Sequence, residues 1–305
     1  MNDDIPFAKS FELPHGQVQE VFPGVRRLVA PNAGPFTFTG TVTYIVGRGR
    51  VAIIDPGPAE PGHIAAVLAA VRGETVTHIV VTHTHRDHSP AAASIKAATG
   101  APTYAEGAHR PSRPLHIGET KRLDAGGDQD FRPDHTLADG ERIEGDGWAL
   151  EAVATPGHTA NHMAFALAGT DILFSGDHVM GWSTSIVAPP DGAMRDYMQS
   201  LEKLRGRPED IYLPGHGPEV RDARRLVRHF LQHRKGREAA ILRHLGREAT
   251  EISTLVGLIY VGLDPRLVGA AALSVLAHLE DLVARGVVAT NGDPAIGNTY
   301  WLAAG

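Results

Sequence analysis

Four side chains able to bind a metal stand within six residues in His83-Thr84-His85-Arg86-Asp87-His88. The run THIVVT at 77–82 is short, apolar and β-branched, and reads as the strand that delivers them. A lone histidine is usually a hydrogen-bonded core or surface residue. Several donors crowded at the C-terminal end of a strand instead suit a loop folded around a cation. Three later turns each offer one more donor after an apolar run: Pro156-Gly157-His158, Ser175-Gly176-Asp177 and Pro214-Gly215-His216. Repetition of strand, small-residue turn and donor brings distant side chains to one edge of a sheet. The chain has no cysteine, which excludes disulfides, thiolate metal sites and a cysteine nucleophile, so any metal is held by His, Asp or Glu.

The elements that must position these donors alternate between β and α patterns. Residues 40–55 read as a hairpin, TVTYIV and VAIID around a Gly-Arg-Gly turn, broken by Asp55-Pro56-Gly57. A helix follows at 62–72, then the strand at 77–82, then a helix at 89–99 that opens on Ser-Pro. Between about 105 and 147 periodicity fails and Gly, Pro, Asp and Arg accumulate, which predicts a long irregular insertion placed over a site or out in solvent. Strands resume at 148–155, 162–167 and 170–175, and a helix at 193–205.

Composition shifts near residue 219. Residues 221–247 hold Arg221, Arg224, Arg225, Arg228, Arg234, Lys235, Arg237, Arg243 and Arg247 against only Asp222 and Glu238. EISTLVGLIYV, LVGAAALSVLAHLEDLVARG and VVAT…NTYWLA then give two more helices and a terminal hairpin, the order of a winged helix-turn-helix. Two domains are expected, a catalytic one at 1–220 and a winged-helix one at 221–305. The length, 305 residues with 42% hydrophobic and 21% charged side chains, suits two globular domains. A formal charge of −6 argues against bulk coating of nucleic acid, though a local basic patch is compatible with it. No run reaches 18 consecutive apolar residues and the first ten, MNDDIPFAKS, lack the pattern of a signal peptide. The expectation is a cytoplasmic protein with no membrane association.

HTHRDH, TPGHT, SGD and PGHG, with Asp55 of IIDPG before them, appear in order across residues 40–220, and in this the chain resembles the metallo-β-lactamase superfamily. The resemblance implies an α+β fold, a four-layer αββα sandwich with a two-metal site along one edge. By that resemblance His83, His85 and His158 hold the first metal, Asp87, His88 and His216 the second, and Asp177 bridges them, while Asp55 is structural. Two divalent ions so placed share a hydroxide, lower its pKa and polarise the bond it attacks. Two zinc ions are expected, with manganese or iron also suited to His/Asp donors. The resemblance gives Asp87 and Asp177 catalytic roles, Asp87 orienting the hydroxide or returning a proton to the leaving group. His162 joins them as a support behind the ligands or a stabiliser of the oxyanion. His178 has a minor claim to touch substrate, and His63, His109, His116, His135 and His229 default to surface or capping roles.

THTHRDHSPAA, the segment GDHVMGWSTSIVAPPDGAMRDYMQSL and the tail from about 234 to 303 resemble the lactamase-beta-like group with a C-terminal winged helix. That group includes RNA-cleaving enzymes and many predicted hydrolases. β-Lactamase action is disfavoured, because a cysteine ligand is absent and a bridging aspartate is not a β-lactamase feature. The leading expectation is a di-zinc hydrolase of a small ester, thioester or lactone. One alternative is an endoribonuclease that cuts single-stranded RNA with help from the basic tail, which a steep salt dependence would betray. The other is a non-hydrolytic metal-sensing or redox protein. A homodimer is compatible with the winged helix, which also serves as a packing module.

Overall fold

A computed structural model describes residues 5–116, 126–246 and 248–303. Its strands are apolar on both faces because both faces are covered. In β3 (Val42–Arg48) the side chains of Val42, Tyr44 and Val46 enter the core between two sheets, while Ile45 points outward at helices. β4 (Arg50–Ile54) alternates likewise, with Ala52 and Ile54 inward and Val51 and Ile53 outward.

The first sheet has seven strands in chain order: β1 (Gln19–Phe22), β2 (Val25–Val29), β3, β4, β5 (Thr75–Val80), β6 (Thr103–Ala105) and β7 (His135–Thr136). β1 to β4 pair antiparallel, and β4 to β7 run parallel, with α1 (Pro61–Ala70) and α2 (Ala91–Thr99) as the β4–β5 and β5–β6 crossovers. The second sheet has six strands in the order β13 (Val220–Arg221), β12 (Ile211–Pro214), β11 (Ile172–Gly176), β10 (Met163–Leu167), β9 (Ala149–Ala154) and β8 (Arg142–Glu144). Met163, Phe165 and Phe174 meet the first sheet, whereas Ala164, Leu173 and Tyr212 face α3 (Met194–Arg205) and the first half of α4 (Ala223–His244). The layers run helix, sheet, sheet, helix, as the resemblance implies.

The winged-helix domain contains β14 (Thr250–Glu251), α5 (Ile252–Ile259), α6 (Val268–Ala284), β15 (Val288–Thr290) and β16 (Thr299–Leu302), with its strands in the order β14-β16-β15. Leu255, Val275, Leu279 and Tyr300 form its core. With the short turn before it, Pro265–Ala284 is long and apolar enough to cross a membrane by composition, with a hydropathy of 1.6. Val275, Leu276, Leu279 and Leu282 of this helix pack into this core, and Ala277 packs against the catalytic sandwich.

α4 belongs to both cores. Leu226, Val227 and Phe230 pack on the second sheet, and Ile241 packs in the winged helix. The two units are further tied by ion pairs Arg113–Glu280 (2.5 Å) and Arg195–Asp281 (3.1 Å).

The expected insertion at 105–147 needs correction. Residues 117–125 lie outside the described residues, but β7 and β8 return the chain to the two sheets. Strands of two and three residues are too short to show alternation in the sequence. The stretch before 117 is also anchored, since Ser112 donates to Pro190 O (2.8 Å) and Arg113 reaches α6.

Candidate metal centre

Every donor expected from the sequence stands just beyond a strand on one edge of the sandwich. β5 leads into His83, His85, Asp87 and His88, and β4 ends before Asp55. From the second sheet, β9 leads to His158, β11 to Asp177 and β12 to His216. Three groups of ligand atoms converge within 4.8 Å of one another: His83, His85 and His158; His83, His88 and Asp177; and Asp87, His88 and His216.

The atoms that converge carry lone pairs. His85 Nδ1 lies 3.0 Å from His83 Nε2 and 3.0 Å from His158 Nε2. Asp177 Oδ2 lies 3.2 Å from His216 Nε2 and 3.7 Å from His158 Nε2, so its carboxylate faces both triads. His88 Nε2 and Asp177 Oδ1 are buried without a hydrogen-bond partner among the described residues. A cation is the species that satisfies such a set, because three crowded imidazole nitrogens and two carboxylates cannot all satisfy one another. The residues therefore fit a metal.

Partners behind the ligands fix each ring. His83 Nδ1 is bonded to Thr82 Oγ1 (3.0 Å), His88 Nδ1 to Asp55 Oδ2 (3.0 Å), His158 Nδ1 to Ile186 O (2.6 Å) and His216 Nδ1 to Gly40 O (3.3 Å). Such bonds set which nitrogen faces the metal. Asp55 also accepts from Thr82 N and Thr82 Oγ1, both at 2.8 Å, and adopts a left-handed backbone with φ 49° to do so. Its expected structural place is where it stands. Thr41 Oγ1 donates to Asp87 Oδ2 (2.8 Å).

Burial and neighbouring charges shift the same donors in opposite directions. Burial, reinforced by His88, His85 and His158, holds His83 well below the ordinary histidine range, and burial with His85 lowers His158 to about 4. Both are neutral at pH 7, with a lone pair free for a cation. Burial acts to lower His216 too, but Asp177 and Asp87 outweigh it and raise the group to about 10. Burial acts to raise Asp87 and Asp177, yet His88 and His216 hold both well below the usual carboxylate range.

Gly215 is required by close approach. A Cβ there would sit 2.4 Å from Asp177 Oδ1 and 2.6 Å from His88 Cε1. Gly215→Ala is expected to lower metal affinity about 10–100-fold, the range for disturbed ligand support. Competition with a chromogenic chelator reads it, and an unaltered affinity would show that the two ligands can move aside at no cost.

Sequence reasoning missed Asp191. It is buried at 7% exposure, and its Oδ2 lies 3.0 Å from His85 Nε2, on the far side of that ring from the other ligands. His109 Nε2 is 3.4 Å from Asp191 Oδ1, and His109 Nδ1 bonds Thr84 Oγ1 (2.8 Å), which also accepts from Asn161 (2.9 Å). Asp191 lies 106 residues from His85 and sits in no donor-rich run, so only the fold reveals the pair. Asp191→Asn is expected to weaken metal binding about 10–100-fold. Isothermal titration of zinc into the metal-free variant checks this, and wild-type affinity would deny Asp191 its positioning role.

Two of the other histidines depart from the surface or capping place expected of them. His109 is a buried support rather than a surface residue, and His63 is buried against Thr43 Oγ1 (3.0 Å) and Pro56 O (3.1 Å). His162 lies behind the ligands rather than in the cleft: its Nδ1 bonds Thr155 Oγ1 (2.8 Å) and its Nε2 accepts from Asp177 N (3.2 Å). Both of its nitrogens are taken, which leaves none for an oxyanion. His178 is also fully buried, packed on the Tyr197 ring at 4.5 Å. His116 bonds Pro294 O (3.1 Å), His135 stacks on Tyr104 and His229 is half-buried on α4.

A cleft of about 590 Å³ opens over the ligands. Phe36, Met180, Ile186 and Ala188 wall it, together with Ala270 and Leu273 from α6. The winged-helix domain thus forms part of the mouth of the site.

Residues 36–216 match the model of the metallo-beta-lactamase superfamily, and residues 252–301 that of the beta-lactamase associated winged helix domain. The chain is 32% identical over 277 residues to a beta-lactamase-like protein 2 homolog of Caenorhabditis elegans, covering 89% of this chain and 88% of that one. It is 30% identical over 237 residues to an atrochrysone carboxyl ACP thioesterase of Aspergillus terreus, covering 77% and 67%. A beta-lactamase domain protein from Burkholderia ambifaria has the same fold, with a TM-score of 0.77 at 21% identity over 98% of this chain and 97% of that one. The chain belongs to the metallo-β-lactamase superfamily, as a hydrolase with a C-terminal beta-lactamase-associated winged helix.

Proposed function

We propose that this protein is a di-zinc hydrolase of carboxylic thioesters. The observation that carries the reading is the cleft: apolar side chains wall the space directly over the converged His and Asp donors. That surface suits an acyl group and offers little to a polyanion. Similarity to proteins named as thioesterases supports the same substrate class.

His83, His85 and His158 would hold one zinc ion, Asp87, His88 and His216 the other, with Asp177 between them. When bound, the two ions supply Lewis acidity and a nucleophilic water near neutral pH. The chain's own residues do the rest. Asp87, fixed by Thr41, orients the water and takes the proton it loses as the water oxygen bonds the carbonyl carbon. The carbon–sulfur bond then breaks, and Asp87 returns that proton to the departing sulfur, giving a carboxylic acid and a thiol. A thiol has an ordinary pKa of about 8.5, so its thiolate leaves with modest help.

The RNA reading has weaker support in the basic stretch. Arg224 pairs with Asp210 (3.4 Å), Lys235 with Glu202 (3.7 Å) and Arg221 with Glu219 (3.7 Å), while Arg234 is buried at 3% exposure. Arg247 lies outside the described residues. Thiol release from acyl-pantetheine thioesters and cleavage of labelled single-stranded RNA by zinc-loaded protein separate the two, with Asp177→Asn as contamination control. Thioester turnover without RNA cleavage is expected. RNA cleavage that Asp177→Asn abolishes, with no thiol release, would overturn the proposal.

A further inference from the structure

A second compartment borders the cleft over the converged His and Asp donors. Phe36, Met180, Ile186 and Ala270 line both the cleft and this compartment of about 280 Å³, which lies between the 182–186 loop, α4 and the winged helix. Of these four shared residues Ala270 has the smallest side chain, and it is the one supplied by the C-terminal domain. Beyond it, Tyr260, Leu263 and Leu267 give the second compartment apolar walls, with Arg237 held 4.8 Å over the Tyr260 ring.

We propose that the two compartments form one acyl channel and that Ala270 is its neck, so that the winged-helix domain sets how long an acyl chain the enzyme accepts. This rests on the thioester reading and deepens it: the substrates are thioesters of extended, apolar acyl groups, longer than the cleft alone can hold. The chain passes from the cleft between Met180, Ile186 and Ala270 into the space lined by Leu263 and Leu267. Each methylene that leaves water for such walls is worth about fourfold in kcat/KM. A larger side chain at position 270 closes the passage from a helix face that already borders open space, without entering the winged-helix core formed by Val275 and Leu279.

Two readouts test this on the zinc-loaded 305-residue chain. The first is the ratio of kcat/KM for decanoyl over acetyl thioester, expected to fall at least about tenfold in Ala270→Leu. Leucine is a good helix former, so α6 keeps its propensity, and Ala270→Val should give an intermediate ratio. The second readout needs no turnover. Trp182 lines the second compartment and stacks on Phe38 at 4.9 Å, so decanoate entering it should change Trp182 fluorescence, while acetate should not. Ala270→Leu should remove that response, and Trp182→Phe assigns it.

An equal decanoyl-to-acetyl ratio in wild type and Ala270→Leu would overturn the proposal. So would a decanoate response that persists in Ala270→Leu, or one absent from wild type. No thiol release from any thioester, with the Trp182 response and its loss in Ala270→Leu intact, would instead sink the thioesterase reading and support the channel.

Discussion

Asp177→Asn is expected to lower kcat/KM for a thioester by at least about 10³-fold while leaving the fold intact, because it removes the one carboxylate that faces both triads. Its Oδ2 lies 3.2 Å from His216 Nε2 and its Oδ1 3.5 Å from His88 Nε2. Asparagine has nearly the same shape, and the backbone bonds persist: Ser185 Oγ still donates to the residue 177 carbonyl and residue 177 N still donates to His162. What goes is the negative charge. On the di-zinc proposal two cations would repel strongly in a buried site, and one carboxylate then remains among the seven donors to offset them. Metal content should therefore fall along with activity. Elemental analysis after dialysis reads the first and thiol release the second. Full metal content with a wild-type rate would remove Asp177 from the site.

Arg234→Met is the second large effect, expected to cost about 3 kcal/mol of stability and to weaken metal binding about tenfold. The Arg234 guanidinium is buried at 3% exposure, donates to Ser274 Oγ of α6 (3.2 Å) and to Ser185 O, and lies 5.2 Å over the Tyr197 ring. Ser185 in turn holds the site, with its Oγ donating to Asp177 O (2.6 Å) and lying 3.3 Å from His158 Nδ1. One arginine thus joins the winged helix to two of the converged donors. Methionine fills similar space but leaves Ser185 O and Ser274 Oγ without that donor, each at about 1–3 kcal/mol when buried. Calorimetric unfolding and hydrogen exchange along α6 measure the loss, and zinc titration measures the affinity. Arg234→Lys should rescue little, since a single ammonium cannot reproduce the planar fork. Wild-type unfolding in Arg234→Met would show that the domains dock without this bond.

These two residues mark what a sequence can and cannot disclose. Asp177 was legible because a strand and a glycine precede it, and the same grammar exposed His158 and His216, while His83 stood in a donor-rich run at a strand's end. The β-branched apolar runs of β3 and β4 around their Gly-Arg-Gly turn and the apolar periodicity of α6 were legible for a like reason: each element's signal lies within its own residues. Arg234 read as one more charge in a basic helix. Its burial depends on α6 and the 182–186 loop, both remote in sequence. Asp191 and His109 were hidden likewise, since their partners lie across the fold. The two-residue β7 and three-residue β8 have no period of their own and are held by pairing to neighbours.

The most direct test of the central claim is a zinc titration of the metal-free protein, with thiol release from an acyl-pantetheine thioester and bound metal read in parallel. The account predicts no turnover without metal, a rate that climbs until two equivalents are bound, and no such climb in Asp177→Asn. Full turnover by protein stripped of metal, or a rate indifferent to zinc, would contradict it.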